Sequence, residues 1–313
     1  MNIKVSVVCT VYNDQNEIEK MLDDISNQTL LPNEIVIADG GSKDNTIKIV
    51  NDYKEKSGID INLIYGARLN ISQGFNTAIK KSQNDIIVIM STGNRYDKNF
   101  IKELVEKFSE TNADIVFAPI RGNENSKFSI LYNKAFLKNK YGNRIPSNHG
   151  VLIKKEVFKK IGLFYENFIY AGEDAEFFER AKKSNLNIEC AEQAKLEWDV
   201  PNSLKDFKKQ IRNYTIAKMQ IESFKIFKNY KRDYLTLLIL IAILILIIIK
   251  QYHIAIILIS MFIVFLLCNC LKNGIKTFII KQYRNWYEIK IIIFNLNKLN
   301  KKYKVNKELI EKF

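Results

Sequence analysis

The sequence predicts an α/β fold, in which a mostly parallel mixed sheet is flanked by helices, followed by a C-terminal transmembrane helical hairpin. Three observations lead to this prediction. Short β-branched runs such as Val5–Thr10 and Glu34–Asp39 stop at polar, turn-forming residues, as buried parallel strands do. Helix-like segments separate these runs and give the β-α-β-α order of a parallel sheet. Two long uncharged stretches follow in the last third of the chain.

The elements of the front part alternate in chain order. Apolar runs of four to seven residues between turn-forming clusters predict strands, and amphipathic segments between them predict helices. The strands are expected at Val5–Thr10, Glu34–Asp39, Ile61–Tyr65, Asp85–Ser91 and Asp114–Pro119, and the helices at Glu17–Asn27, Thr46–Lys56, Ser72–Ser82 and Lys98–Glu110.

The net charge of +14 is concentrated at the back of the chain. Residues 201–313 hold 21 Lys and Arg against 6 Asp and Glu, whereas residues 1–200 are nearly neutral. A pI near 9.4 would ordinarily favour nucleic-acid binding. Because the excess flanks apolar segments, we expect no nucleic-acid partner and instead a membrane.

The two uncharged stretches predict a transmembrane hairpin. As helices, Leu235–Ile249 and Ile254–Leu271 would reach roughly 22 and 27 Å, slightly less than a hydrocarbon core of about 30 Å. Lys and Arg precede and follow the pair, while the turn holds only Lys250 and His253, so the positive-inside rule places both flanks in the cytoplasm. A re-entrant hairpin and a buried hairpin of a soluble protein are the alternatives.

These features divide the chain into four predicted parts. Residues 1–215 form the α/β domain, 216–233 a basic amphipathic linker, 234–271 the hairpin, and 272–313 a basic interfacial helix and tail. We therefore expect a protein of the cell membrane whose α/β domain faces the cytoplasm.

The ends of the first two predicted strands carry informative side chains. Thr10, Tyr12 and Asp14 follow the first strand, and Asp39 ends the second. Ligands of open α/β sheets bind at this carboxyl edge. A carboxylate there can accept from a base N–H or a ribose hydroxyl, Tyr12 can stack, and Gly40-Gly41 lets a ligand approach the backbone. The pattern indicates a nucleotide pocket, and a tight turn in which Asp39 only caps is the alternative.

The front part, about residues 3–215, resembles a family 2 glycosyltransferase with the GT-A fold, a Rossmann-like arrangement. The resemblance is carried by Val11-Tyr12-Asn13-Asp14, Ala38-Asp39-Gly40-Gly41-Ser42, Gly74-Phe75-Asn76 and Gly172-Glu173-Asp174. It implies sugar transfer from a nucleotide-sugar donor, of the UDP or GDP type, usually with inversion. It also implies that the donor is bound by Thr10, Tyr12, Asp39, Asn76, Ser91 and Gly93.

Inverting transfer needs a base that takes the acceptor hydroxyl proton while the leaving diphosphate is stabilised. Glu173 and Asp174 supply adjacent carboxylates, and the resemblance makes Asp174 the base. Glu176 and Glu179 extend the acidic run, which is also ordinary for the first turn of a helix. We expect Asp174 and Glu173 to be the catalytic pair.

The chain departs from the family at Ser91-Thr92-Gly93. Here the family places Asp-x-Asp, in some members Asp-x-Gly, which holds Mg²⁺ or Mn²⁺ on the diphosphate. A hard divalent cation prefers charged oxygen ligands, and both carboxylates are missing. Three explanations stay open: metal-independent catalysis, a shifted ligand set drawn from Asn94, Asp97 or His149, and a weak or inactive transferase.

The predicted function follows from the pocket residues and the hairpin together. We expect an inverting glycosyltransferase that acts on a lipid-linked saccharide acceptor in surface polysaccharide or glycoconjugate assembly, because membrane tethering raises the local concentration of such an acceptor. A catalytically weak or inactive glycosyltransferase-like membrane partner protein is the alternative. The missing carboxylates favour the alternative, whereas Asp174 and Asp39 oppose it.

Overall fold

The computed structural model describes residues 3–137, 146–168, 170–222, 242–243, 245–295 and 310. The chain divides into two compact units. The first comprises Met1–Glu124, Leu137–Val200 and Val305–Phe313, and the second comprises Asn125–Phe136 and Pro201–Lys304.

The first unit is an α/β domain with two sheets. Its strands are β1 (Val5–Val11), β2 (Glu34–Asp39), β3 (Ile61–Tyr65), β4 (Ile86–Met90), β5 (Asn94–Tyr96), β6 (Ile115–Phe117), β7 (Ile120–Gly122), β8 (Gly150–Lys154), β9 (Ile188–Cys190) and β10 (Leu196–Trp198). Its helices are α1 (Ile18–Ser26), α2 (Thr46–Ser57), α3 (Ile71–Lys81), α4 (Phe100–Thr111), α6 (Lys155–Ile161) and α7 (Glu173–Lys183).

The larger sheet is mixed and mostly parallel. Its seven strands run in the order β3-β2-β1-β4-β8-β6-β9. Strands β3, β2, β1 and β4 are parallel, and β8 is antiparallel to both of its neighbours, β4 and β6. The smaller sheet has the order β5-β10-β7. The carboxyl ends of β1, β2 and β4 therefore meet at one edge, where the sequence predicts the ligand site.

Alternation along the strands builds a core on each face of the larger sheet. Val7 and Cys9 of β1 pack on one face with residues of α1 and α4, and Val8 packs on the other face with residues of α3, α6 and α7. Because both faces are covered, β1 and β2 are nearly continuous apolar runs instead of alternating ones.

The predicted α/β class is confirmed, and each predicted strand and helix is present with bounds shifted by two residues or fewer. The sequence pattern did not predict β5, β7, β9 and β10. Each of these strands has only three residues, which is too short for a period-two pattern to be recognised.

The second unit consists of helices. They are α5 (Lys127–Phe136), α8 (Leu204–Glu222), α9 (Tyr252–Asn273) and α10 (Ile275–Asn295). Phe207 of α8 lies 5.5 Å from the ring of Phe136 on α5 and 6.4 Å from that of Tyr283 on α10. Buried Glu288 of α10 forms an ion pair with Lys218 of α8 at 3.4 Å. Aromatic packing and one buried charge pair thus join α5, α8 and α10.

The predicted transmembrane hairpin, residues 234–271, is not confirmed. No helix built from the described residues is both long and apolar enough to cross a bilayer. Residues 234–241 and 244 of the predicted hairpin lie outside the described residues, as do 223–233 of the predicted linker and 296–309 and 311–313 of the predicted interfacial helix and tail. Within the second predicted span, α9 exposes large apolar side chains such as Ile256, Ile257 and Ile263.

Candidate active site

Hydrogen bonds join the segments that follow β1 and β2. The backbone N–H of Asn13 donates to Ser42 Oγ at 2.8 Å, and the N–H of Lys43 donates to Asn13 Oδ1 at 2.8 Å. The N–H of Gly40 donates to the carbonyl of Val11 at 2.8 Å. The two strand ends that the sequence predicts to form a pocket are therefore held together as one rigid edge.

Asp39 is buried at the end of β2 with one carboxylate oxygen satisfied and the other not. Its Oδ2 accepts from the N–H groups of Gly41 and Ser42 at 2.8 and 2.9 Å. Its side chain is only 1% exposed, and among the described residues Oδ1 has no hydrogen-bond partner. A buried carboxylate oxygen without a partner is costly, so this site is suited to a ligand that brings an N–H or O–H group.

Tyr12 and two glycines border Asp39. Tyr12 is 60% exposed, so its ring is free to stack on a flat ligand. A Cβ added to Gly40 would lie 2.9 Å from the carbonyl oxygen of Leu69 and 3.3 Å from the Cβ of Tyr12. Gly41 has φ +91°, a region that favours glycine. The loop before α3 can therefore approach this edge only because residues 40 and 41 lack side chains.

Thr10 and Asn76 contact other parts of the protein. A Cβ on Gly74 would lie 1.9 Å from Thr10 Oγ1, so α3 crosses β1 directly over Thr10. The amide nitrogen of Asn76 donates to Phe164 O and to Glu166 Oε1, both at 2.8 Å, and its Oδ1 accepts from the Phe164 N–H at 3.0 Å. Asn76 thus holds the segment after α6, and its predicted contact with a donor stays a prediction.

The turn after β4, Ser91–Asn94, occupies the place of the family's Asp-x-Asp motif. Ser91 Oγ donates to the carbonyl of Asn148 at 2.7 Å, and the Thr92 hydroxyl donates to Asp14 Oδ2. The amide of Asn94 donates back to the Ser91 carbonyl at 2.9 Å. The polar side chains of this turn are therefore engaged within the protein.

His149 and Asn94, two of the candidate metal ligands, hydrogen-bond to each other. His149 Nδ1 lies 3.0 Å from Asn94 Oδ1, and because the Asn94 amide group donates elsewhere, Nδ1 carries the proton. The imidazole also packs on Trp198, with ring centroids 4.9 Å apart. Desolvation lowers the pKa of His149 to about 4, so the ring is neutral at physiological pH.

Asp97, the third candidate ligand, lies at the start of α4. Its Oδ1 accepts from the N–H of Asn99 at 3.0 Å, and its backbone carbonyl accepts from the N–H of Phe100 at 2.9 Å. Asp97 is exposed and serves the first turn of the helix. The structure therefore joins Asn94 to His149 but gives Asp97 a different set of contacts.

The residues present do not fit a divalent cation at the end of β4. Mg²⁺ and Mn²⁺ prefer carboxylate and other oxygen ligands in a nearly octahedral arrangement. Ser91 and Asn94 are neutral and already hydrogen-bonded. Within the described ranges, no group of three or more His, Cys, Asp or Glu side chains is placed to hold a metal ion.

The predicted catalytic pair opens α7. Glu173 is 8% exposed, and its Oε1 accepts from the amide nitrogen of Asn148 at 3.5 Å. Burial, and then the charge of Asp174, raises the pKa of Glu173. Desolvation likewise raises the pKa of Asp174, against the opposing effect of the Ala175 and Asn148 N–H groups. Two adjacent carboxyl groups with raised pKa values are suited to proton transfer, and the catalytic role of Glu173 and Asp174 stays a prediction.

The other two acidic residues of α7 have structural partners. Glu176 forms a buried ion pair with Arg180 at 2.7 Å, and Arg180 also donates to the carbonyl of Leu163 at 2.8 Å. Glu179 pairs with Lys183 on the exposed face. These contacts separate the acidic run into a structural part and the Glu173-Asp174 pair.

Asn148 is the site residue that sequence reasoning missed. Its carbonyl accepts from Ser91 and its side-chain amide donates to Glu173, so it connects the turn after β4 to the catalytic pair. Its Oδ1 is buried and without a partner among the described residues. A single Asn ahead of β8 has no distinctive sequence signal, although its position beside His149 could have drawn attention to it.

The comparison with known families gives one match. The family described as glycosyl transferase family 2 matches residues 6–166, about half of the 313-residue chain. The match begins in β1 and extends past α6, so it includes Asp39 and the turn after β4 but ends before α7.

Individual relatives are distant. A cholesterol galactosyltransferase from Borreliella burgdorferi is 25% identical over 158 residues, which cover 50% of this chain and 41% of that protein. The chain spans about half the length of the first curated relatives it matches: the matched parts cover 41%, 49% and 54% of those three proteins.

Two solved structures share the fold. Staphylococcus aureus TarS 1–349 in complex with UDP-GlcNAc has a TM-score of 0.51 at 18% identity, covering 69% of this chain and 67% of that one. The mannosyltransferase PcManGT from Pyrobaculum calidifontis, in complex with GDP-Man and Mn²⁺, has a TM-score of 0.56 at 17% identity, covering 69% and 62%. At these identities the likeness shows the fold alone, a GT-A-like α/β arrangement.

Proposed function

Because the chain belongs to glycosyl transferase family 2, and is accordingly a glycosyltransferase, we propose that it moves a sugar from a UDP- or GDP-sugar to a lipid-linked saccharide acceptor with inversion. The acceptor would belong to the assembly of a surface polysaccharide or glycoconjugate. The donor classes are those in the complexes of the TarS and PcManGT structures.

The observation that carries the donor assignment is the unpartnered Oδ1 of Asp39. Uracil and guanine each present a ring N–H, and such a group would satisfy this buried acceptor. Tyr12 is exposed beside it and can stack on the base. A bound nucleotide would thus satisfy the one oxygen of Asp39 that has no partner among the described residues.

We assign the base of the transfer step to Asp174. Its carboxylate takes the proton of the acceptor hydroxyl as that oxygen bonds to C1 of the sugar. The bond from C1 to the diphosphate oxygen breaks, and its electron pair leaves with the nucleoside diphosphate. A raised pKa suits this task, because a base works best when its pKa is near the operating pH.

Glu173 supports the same step from beside Asp174. Because burial raises its pKa, a protonated Glu173 adds no second negative charge close to the leaving diphosphate. The amide of Asn148 fixes the direction of the Glu173 carboxyl group. We therefore assign Glu173 to positioning and charge balance and Asp174 to proton transfer.

The proposal that the protein works at a membrane is supported by the second unit. Apolar side chains are exposed along α9 and at both ends of α10, namely Ile254, Ile256, Ile257, Ile259, Met261, Ile263, Val264, Ile275, Ile279, Ile293 and Phe294. Exposed apolar surface of this extent marks a protein or membrane contact, and Lys276 and Lys290 of α10 favour anionic lipid. We propose that the first unit, which contains the candidate active site, lies on the cytoplasmic side of the cell membrane.

A donor panel tests the proposed reaction. Full-length protein is incubated with UDP- and GDP-sugars and with a lipid extract that contains lipid-linked saccharides as acceptors. The released nucleoside diphosphate and the glycosylated lipid are both measured. We expect one donor class to give both products, and the Asp174→Asn variant to give neither. If the wild-type protein binds nucleotide but turns over no donor, the non-catalytic membrane partner is the better description.

Vesicle flotation tests the membrane proposal separately. The full chain should float with vesicles of phosphatidylcholine and phosphatidylglycerol and should float less with phosphatidylcholine alone. The Ile256→Glu/Ile263→Glu variant should lose flotation, whereas the matched Leu31→Glu variant, exposed in the first unit, should retain it. Equal flotation of all three proteins would contradict the assignment of α9 to lipid.

A further inference from the structure

We infer that this glycosyltransferase binds the diphosphate of its donor without a divalent cation at the end of β4. The inference rests on the proposed nucleotide-sugar function and concerns how the same site handles its donor. It follows from the contacts of the turn Ser91–Asn94, from its nearest carboxylate and from the open space beside Gly93.

The oxygen atoms of the turn already take part in hydrogen bonds within the protein. Ser91 Oγ donates to the carbonyl of Asn148, and Asn94 Oδ1 faces His149 Nδ1 at 3.0 Å. The carbonyl of Ser91 accepts from the Asn94 amide and from the Tyr96 hydroxyl. A cation placed here would compete with these bonds for the same oxygens and would gain only neutral ligands in return.

The neighbouring carboxylate, Asp14, is also held within the protein. Its Oδ2 accepts from the Thr92 hydroxyl, and its backbone N–H donates to Thr46 Oγ1 at 2.7 Å. Desolvation raises the pKa of Asp14, and the hydrogen bond from Thr92 opposes this shift. One oxygen of this carboxylate is thus engaged by the turn itself, so a cation would compete with Thr92 for it.

His149 does not complete a ligand set. Its Nδ1 is engaged with Asn94, which leaves one neutral nitrogen, whereas Mg²⁺ and Mn²⁺ prefer oxygen. Asp97 is engaged at the start of α4. In the predicted catalytic pair, one oxygen of each carboxyl group is engaged: Glu173 Oε1 accepts from the Asn148 amide, and Asp174 Oδ1 accepts from the Ala175 N–H.

Gly93 leaves open space at the tip of the turn. Its φ is +72°, and no atom of the described residues lies within 4 Å of an added Cβ. The backbone of the turn can therefore approach phosphate oxygens directly, as glycine turns do at other phosphate sites. A residue other than glycine is strained at this φ, but aspartate and asparagine tolerate it better than most, so a carboxylate can be introduced here to restore the family motif.

The decisive measurement is calorimetric titration of UDP and GDP into the full chain, in EDTA and in Mn²⁺. We expect the Kd of the preferred nucleotide to agree within about twofold between the two conditions. Binding about tenfold or more tighter in Mn²⁺ would overturn the inference while leaving the proposed function intact. Failure of both nucleotides to bind under either condition would contradict the proposed function and, with it, the inference.

Restoring the family motif supplies a second arm. The Ser91→Asp/Gly93→Asp variant should bind Mn²⁺ in the presence of nucleotide, detected as loss of the free Mn²⁺ signal by electron paramagnetic resonance. Its matched neutral control, Ser91→Asn/Gly93→Asn, and the wild-type chain should leave the signal of Mn²⁺ with nucleotide unchanged. Mn²⁺ uptake by the wild-type chain that the Asp14→Asn variant loses would overturn the inference and identify Asp14 as the ligand.

Discussion

Two regions at the same edge of the larger sheet differ in how far their polar groups are hydrogen-bonded within the protein. At the end of β2, buried Asp39 keeps one carboxylate oxygen without a partner in the described part of the chain, and Tyr12 nearby is largely exposed. At the end of β4, the side chains of Ser91 and Asn94 form hydrogen bonds within the protein. The first region retains binding capacity for a ligand, while the second uses its polar groups for its own structure. We therefore expect nucleotide binding to depend far more on Asp39 and Tyr12 at the first region than on the turn after β4.

The largest expected effect is a loss of catalysis that leaves nucleotide binding, and hence both of these regions, unaffected. Asp174→Asn removes the base and should lower kcat by about 10²–10⁴-fold. Because Asp174 belongs to neither binding region, the Kd of the nucleotide should stay within about twofold of wild type. Steady-state kinetics and calorimetry on the same preparations check both values. Unchanged kcat would assign the base to another residue.

The next effect compares the two regions directly. Asp39→Asn is nearly isosteric but replaces an acceptor with a donor, so it should weaken nucleotide binding by about 10–100-fold, as expected for a charged hydrogen bond. Ser91→Ala should change the Kd by less than about threefold, because the Ser91 hydroxyl already serves Asn148. Calorimetry gives both Kd values. Equal losses in the two variants would contradict the division between the regions.

A pH effect on stability tests the turn region by itself. His149 has a pKa lowered to about 4, so between its ordinary value of 6.5 and 4 the unfolded chain binds a proton that the folded chain does not. The contribution of His149 to stability should therefore fall as the pH drops through this window, by about 2–3 kcal/mol, while the raised pKa of Glu173 acts in the opposite direction and is common to wild type and variant. Urea unfolding at pH 7 and 4.5 measures it, and His149→Asn should remove this part of the pH dependence. An identical decline in the variant would show that His149 is not the group responsible.

Local sequence patterns predict much of this fold and part of the candidate site, whose functional roles stay predictions. The strands β1 to β4 and the helices between them follow from apolar runs and amphipathic periods, since both faces of the sheet must be covered. Asp39 could be predicted because it ends a strand at the ligand edge. The sequence resemblance, and not any periodicity, singled out Asp174.

Long-range contacts could not be predicted in this way. The bond from Thr92 to Asp14 joins residues 78 positions apart, and that from Ser91 to Asn148 spans 57. Such contacts depend on the order of the strands in the sheet, and local patterns in a single sequence do not reveal that order. The engagement of Asn76 by the segment around Phe164 was missed for the same reason.

The most direct test of the account uses the base N–H that Asp39 is assigned to bind. The Kd of UDP is compared with that of N3-methyl-UDP, and the Kd of GDP with that of N1-methyl-GDP, for wild type and Asp39→Asn in EDTA. We predict that methylation weakens binding of the preferred nucleotide to wild type by about tenfold or more and has little further effect in the variant. Equal affinity of wild type for the nucleotide and its methylated analogue would contradict the assignment of Asp39.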